Sequence, residues 1–299
     1  MRLRSWSTLL VYLSLLFLVV WALQADYLRA YNIADPRALF ASLGLVLAGF
    51  LLAAAAWWRL LALHGLPVSL RLSLASVGVT IFAKYIPGKV WLIVGRAGYL
   101  AERSAYRLAP LSLASLRAQL LTLWIGVPLG ALTFMFVVDA SWRELAWLAI
   151  GLWALLAWLL RFDVAGRSAS WLQNRLRLEG PDIELRMSGL VRIAPWFLGV
   201  WVCWAAGFAM LAAAFTGGAP RLDDGLAFVL ATTLGVVAVI APGGLGVREG
   251  LLIALLVMLG RPAELAITLS VVARLWFLAG EAMLFFAGLV AAGRGARST

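Results

Sequence analysis

The chain is short of most of what soluble chemistry needs. It has one histidine, one cysteine and 14 acidic side chains in 299 residues, and only 13% of its residues are charged. A lone histidine, His64, makes no metal site. The lone cysteine, Cys203, lies in an apolar run, makes no intrachain disulfide and reads as a small packing residue. No Ser/His/Asp, Cys/His or paired-carboxylate arrangement is present for covalent or hydrolytic work. No nucleotide-binding motif is present either. Neither an enzyme nor a cofactor is expected. Lysine is the scarcest cation: of 25 basic residues only Lys84 and Lys89 are lysines.

What is abundant is apolar. Hydrophobic residues make up 64% of the chain, and they come in runs of about 20, the length that crosses ~30 Å of hydrocarbon at ~1.5 Å per helical residue. The alternating pattern of a membrane barrel is missing. The fold expected is an all-α polytopic membrane protein. The formal net charge of +11 would suit nucleic acid. Its distribution does not, because most arginines sit in short loops between apolar runs, which is an orientation signal. No nucleic-acid partner is expected. The N-terminal Met1-Arg2-Leu3-Arg4 and apolar residues 8–23 resemble a signal peptide. The apolar core is long for one, so it reads as a retained first span. Residues 1–299 read as a single transmembrane domain with no soluble domain attached.

Six full spans are expected, at 8–23, 38–57, 111–138, 142–160, 193–216 and 264–291. Two further segments, 70–100 and 225–260, break at Pro87-Gly88 and at Pro242-Gly243-Gly244. The arm 70–84 amounts to about 22 Å of helix, short of a crossing. Both segments therefore read as re-entrant helical hairpins. Two short complete spans per segment would have the same parity, so charge counting does not separate the two arrangements. With the N-terminus in the cytoplasm, 14 arginines fall in inside segments and 5 in outside ones, as the positive-inside rule requires. The C-terminus is then cytoplasmic too. Trp6, Trp21, Trp57, Trp58, Trp142 and Trp196 lie near the expected interfaces. Spans 38–57 and 111–138 with the first hairpin form one unit. Spans 193–216 and 264–291 with the second form another, related to it by inversion. Such an inverted repeat builds a midplane site that can open to either face. Spans 8–23 and 142–160 lie outside this core. The loop 161–192 is either an interfacial stretch on anionic lipid or an ordinary cytoplasmic connector.

Eight charges fall inside these membrane segments: Lys84, Lys89, Arg96, Arg117, Arg248, Arg274, Glu249 and Glu281. Each costs about 2.5–3.5 kcal/mol at the bilayer centre, so they must pair, line a cavity or snorkel. The two lysines bracket the first Pro-Gly apex. They either approach an anionic headgroup as compact point charges or snorkel to water. Gly243, Gly244 and Gly246 let the backbone turn sharply and allow close approach, and the arm that follows presents free N–H groups suited to phosphate. Glu249 has Arg274, Lys84 and Lys89 as potential partners. Arg274 and Glu281 lie seven apart on one helix face. A structural ion-pair network and a gating or proton-coupling role both fit. Gly126-x-x-x-Gly130, with Pro128 between, reads as a close helix contact.

Two of these runs carry a resemblance. Pro242-Gly243-Gly244-Leu245-Gly246-Val247-Arg248-Glu249-Gly250 resembles the hallmark of the lysylphosphatidylglycerol synthase transmembrane (flippase-like) family. Tyr85-Ile86-Pro87-Gly88-Lys89-Val90-Trp91 with Gly95-Arg96 is similar to its first motif, although Trp91-Leu92 stands near where many members carry Gly-Glu. The resemblance implies an integral protein of the bacterial inner membrane. Members fused to an aminoacyltransferase make and translocate aminoacylated phosphatidylglycerol. Stand-alone ones are linked to movement of phospholipids, hopanoid-related lipids or polyprenyl-phosphate-linked sugars. With no transferase domain in this chain, synthesis is not implied.

The reading is a lipid translocase with membrane lipids as its partners. Lys84, Lys89 and Arg248, with Arg96 and Arg274, would bind the anionic headgroup. Pro87, Gly88, Pro242, Gly243, Gly244 and Gly246 would shape the turns around it, and Glu249 and Glu281 would hold or exchange the cations. The alternative is an accessory subunit of a lipid-linked glycosyltransferase or another lipid-synthesis enzyme.

Overall fold

In the computed structural model, residues 33–85, 90–137, 143–164, 166–168, 171, 187–237 and 246–293 are described. They hold helices and no strand. The long elements are α1 (Pro36–Leu63), α2 (Leu70–Thr80), α3 (Val90–Ala101), α4 (Leu108–Ala131), α5 (Arg143–Arg161), α6 (Met187–Thr216), α7 (Leu222–Val237), α8 (Val247–Met258) and α9 (Ala263–Gly293). A 3-10 helix, Ile81–Tyr85, extends α2, and another, Leu132–Met135, extends α4.

Local chemistry sets the helix ends. Asp35 caps α1 by accepting the Arg37 N–H at 2.9 Å, with Pro36 at the first helical position. Past the other end of α1, Gly65 takes a positive φ of 70°, which a side chain would resist. Ser69 caps α2 through the Leu72 N–H at 3.2 Å.

Four helical stretches are long and apolar enough to cross a membrane: Pro36–Leu63, Leu108–Met135, Val191–Thr216 and Ala263–Gly293. They match four of the six expected spans. Span 8–23 lies outside the described residues. The expected span 142–160 falls on the 19-residue helix α5, Arg143–Arg161, within which the apolar stretch Ala146–Arg161 is about 24 Å long. This helix, α5, packs on α4 and leaves Trp147, Leu148 and Trp158 exposed. The arms of the broken segments are short helices, α2 against α3 and α7 against α8. Their expected apices, with Pro87, Gly88, Lys89, Pro242, Gly243 and Gly244, lie outside the described residues. So do Trp6, Trp21, Trp142 and residues 172–186 of the expected loop.

Exchange α1 with α6, α2 with α7, α3 with α8 and α4 with α9, and the packing pattern is unchanged. α2 lies on α9 as α7 lies on α4, and α3 lies on α4 as α8 lies on α9. The corresponding helices α1 and α6 run antiparallel. At one end Ala34 and Asp35 N–H groups both donate to the Ala214 carbonyl, at 2.8 and 3.0 Å. At the other, Gly189 faces Leu63.

Contacts are backbone-close, as expected where lipid supplies no hydrophobic drive and small residues must admit van der Waals packing. A Cβ on Gly78 would stand 2.5 Å from the Leu284 carbonyl oxygen and 2.8 Å from Gly288 Cα. The symmetry-related α4–α7 contact is equally tight: a Cβ on Gly130 would stand 2.6 Å from Leu230 Cα. Gly126 abuts Thr233 and Trp201, so the Gly126/Gly130 spacing does serve close contact. Aromatic rings fill the centre, with Phe228 stacked on Phe208 and edge-on to Trp276. The interface role expected for Trp57 is corrected. α1 continues past it to Leu63, and its indole is 1% exposed and donates to Ser76 Oγ at 3.3 Å.

Candidate functional site

Where the 3-10 helix after α2, the start of α8 and the middle of α9 converge, the apolar body holds a knot of charge. Lys84 Nζ donates to Glu281 Oε1 at 2.5 Å, and Tyr85 Oη donates to Glu281 Oε2 at 2.8 Å. Both oxygens of a carboxylate that is 1% exposed are thereby engaged. The Lys84 ammonium also lies 5.4 and 5.3 Å from the Tyr85 and Phe277 ring centroids, within cation–π range.

Arg248 and Arg274 are buried beside this pair. The Arg274 guanidinium lies 5.0 Å from the Tyr85 ring centroid, and that of Arg248 lies 5.7 Å from Phe277 and 5.9 Å from Phe228. Glu249 reaches between them: its Oε1 is 3.4 Å from Arg248 Nε and 3.8 Å from Arg274 Nη1. Its Oε2 accepts the Gly246 N–H at 2.8 Å and caps its own helix. Gly246 has φ 82°, a conformation glycine adopts without strain. The free N–H expected there for phosphate is thus met by the chain's own carboxylate. Ser270 Oγ donates to the Glu249 carbonyl at 3.2 Å and ties α9 to α8.

Of the residues singled out in the sequence, the fold brings together Lys84, Gly246, Arg248, Glu249, Arg274 and Glu281. Arg96 sits elsewhere. Its guanidinium is 4.1 Å from the Trp57 ring centroid and donates to Ser115 Oγ and O. Arg117 also finds its own partner. It grips Asp163 through Nε at 3.0 Å and through Nη2, and Asp163 holds φ 45° just past α5.

Two residues of the knot, and the partner of Arg117 outside it, give no signal in the sequence. Tyr85 stood in the first motif, but a neutral phenol gives no charge signal. Asp163 falls in the expected loop 161–192. Gly235 of α7 looked like any helical glycine, yet a Cβ there would stand 2.8 Å from Arg248 Cβ. It makes the room in which Arg248 is buried. Among the described residues no three His, Cys, Asp or Glu side chains gather as metal ligands. The charge knot can hold an anion or exchange ion-pair partners.

The Lysylphosphatidylglycerol synthase TM region family model matches residues 6–279. No curated protein and no solved structure matches the chain. The match covers both broken segments and α9 as far as residue 279, which includes Arg274 and stops just before Glu281, and the chain belongs to the lysylphosphatidylglycerol synthase transmembrane-region family.

Proposed function

We propose that the chain is a lipid translocase of the bacterial inner membrane, and not an enzyme. It carries a phospholipid or a polyprenyl-phosphate-linked lipid, with the anionic headgroup in the charge knot and the tails in the bilayer. The observation that carries this reading is the knot itself. Lys84, Arg248, Arg274, Glu249 and Glu281 come from three elements and meet inside an apolar helical body. Ionisable groups at such depth mark substrate or ion paths by default.

The finer architecture belongs to the same proposal. Six spans and two re-entrant hairpins form an inverted repeat, with both termini cytoplasmic. The antiparallel packing of α1 on α6 supports it, because a two-fold axis relating antiparallel helices lies across them, in the membrane plane. The arms α2, α3, α7 and α8, at 11, 12, 16 and 12 residues, are each too short to span alone.

The test is scrambling of fluorescent phospholipids in liposomes that hold the purified chain. Wild type is expected to expose inner-leaflet lipid to a membrane-impermeant quencher, and Arg248→Ala and Lys89→Ala to slow this at least tenfold. Scrambling equal in wild type, both variants and empty liposomes would refute the carrier. An accessory subunit would instead co-purify with a lipid-linked transferase and scramble nothing.

A further inference from the structure

The Arg248–Glu249–Arg274 group differs from three other buried or half-buried arginine–carboxylate contacts among the described residues. Arg117 engages both oxygens of Asp163, Arg261 both oxygens of Asp224, and Arg221 both oxygens of Asp223. Those are forked pairs, the strong geometry for guanidinium and carboxylate. Glu249 makes no such pair. Its Oε1 stands at 3.4 and 3.8 Å from the two guanidinium groups, and neither contact is a hydrogen bond. Arg248 Nε and Nη2, Arg274 Nε and Glu249 Oε1 are all buried without a hydrogen-bond partner among the described residues. Arg248 is 5% exposed and Arg274 3%. A buried polar group left unbonded costs roughly 1–3 kcal/mol, more when charged. The fold accepts that cost several times at one spot.

The reason lies in the backbone. Glu249 Oε2 is committed to the Gly246 N–H at the start of α8, and its main chain is held by Ser270. Anchored at both points, the carboxylate reaches the slot between the arginines without filling it. We propose that Glu249 is a resident stand-in for a phosphate anion. A phosphate group enters between Arg248 and Arg274, takes the donors Glu249 leaves unused, and displaces the Glu249 carboxylate from the slot. This rests on the translocase reading and names what its site recognises.

Geometry and charge agree. A tetrahedral phosphate presents oxygens in several directions and can accept from two guanidinium forks at once. Lys84 is already committed to Glu281. The described side chains of the knot therefore carry three cations against two carboxylates. The surplus of one positive charge equals the single negative charge of a phosphodiester.

The competition has a direct test. Binding of dihexanoyl-phosphatidylglycerol, and separately of inorganic phosphate, is measured by titration calorimetry on the purified full chain in detergent. Glu249→Gln removes the competing charge and should tighten binding about tenfold, the worth of one charge-assisted hydrogen bond. Glu249→Asp keeps the charge on a shorter stem and should tighten it less. Arg248→Gln and Arg274→Gln should abolish it. Lipid bound without phosphate identifies a headgroup as the occupant, and phosphate bound equally well identifies a free anion.

If the arginine variants lose binding but neither Glu249 variant tightens it, the stand-in role is overturned and the site survives. If arginine variants and wild type bind alike, the site itself is overturned. Should Glu249→Gln not elute as a folded species, Glu249→Asp alone decides.

Discussion

Glu281 is the most fully satisfied charge in the knot, so it should be the most sensitive to loss of a partner. With Lys84 replaced by Met, one carboxylate oxygen is left buried and uncompensated. Breaking one side of a buried pair costs about 3–5 kcal/mol, whereas replacing both sides by apolar groups can be nearly neutral. Lys84→Met should lower the midpoint of thermal unfolding in detergent, and Lys84→Met with Glu281→Leu should recover most of it. A double variant as unstable as the single one would show that the pair is not coupled. His64, beyond the end of α1, makes a pH prediction. Burial, reinforced by the Arg117 charge and opposed by the bond from Nδ1 to the Leu60 carbonyl, holds its pKa down to about 4 from 6.5. The unfolded chain therefore binds a proton that the folded chain refuses as pH falls below 6.5. Stability should be flat above that pH and decline by about 2 kcal/mol between pH 6.5 and 5. His64→Gln should flatten that decline in thermal melts across the same window.

At the scale of elements, the tight crossings are as exacting as the charges. Gly78 and Gly288 let α2 and α9 touch backbone to backbone. That crossing sets where the following 3-10 helix delivers Lys84 and Tyr85 to Glu281. Gly78→Leu meets main-chain atoms that cannot rotate away, so it should force the helices apart, destabilise the fold and slow scrambling together. Gly98→Leu, on α3 with open space around its Cβ position, should do neither. The existence of these helices was legible from hydropathy. The Gly126/Gly130 contact was legible too, because small residues four apart have one main use in an apolar helix. The Gly78–Gly288 contact was not, because Gly78 is the one glycine of α2 and no glycine stands four positions from Gly288 on α9, so neither helix carries that spacing. Nor was the burial of Trp57, since an interfacial and a buried tryptophan look alike until the helix's neighbours are known.

For the whole molecule, orientation is testable without transport. In a Cys203→Ser background, Glu102→Cys and Gly218→Cys should be labelled by a membrane-impermeant maleimide from opposite sides. Labelling from the same side would refute the proposed inverted arrangement. The two halves pack alike but are not alike in charge. With the Pro-Gly steps of the two broken segments aligned, Ile93 and Val94 stand where the second half has Arg248 and Glu249, while Gly95 matches Gly250. The polar groups thus gather on one side of the pseudo-symmetric pattern. A perfectly duplicated chain would carry two such knots.

Amino-acid order alone determined that this is a helical membrane chain, where its apolar runs break, and which cations and carboxylates have no business in lipid. Hydropathy and charge are properties of a residue and its near neighbours, so they can be read without coordinates. Only the tertiary structure decided which charge meets which. Lys84 and Glu281 are separated by 197 positions, and Arg117 and Asp163 by 46. Such pairs form where helices distant in sequence cross, and the crossing points are set by backbone contacts such as that of Gly78 with Gly288. That is also why Arg96, an equal candidate in the sequence, ends against Trp57 and Ser115, while Tyr85, which carries no charge, holds the carboxylate at the centre.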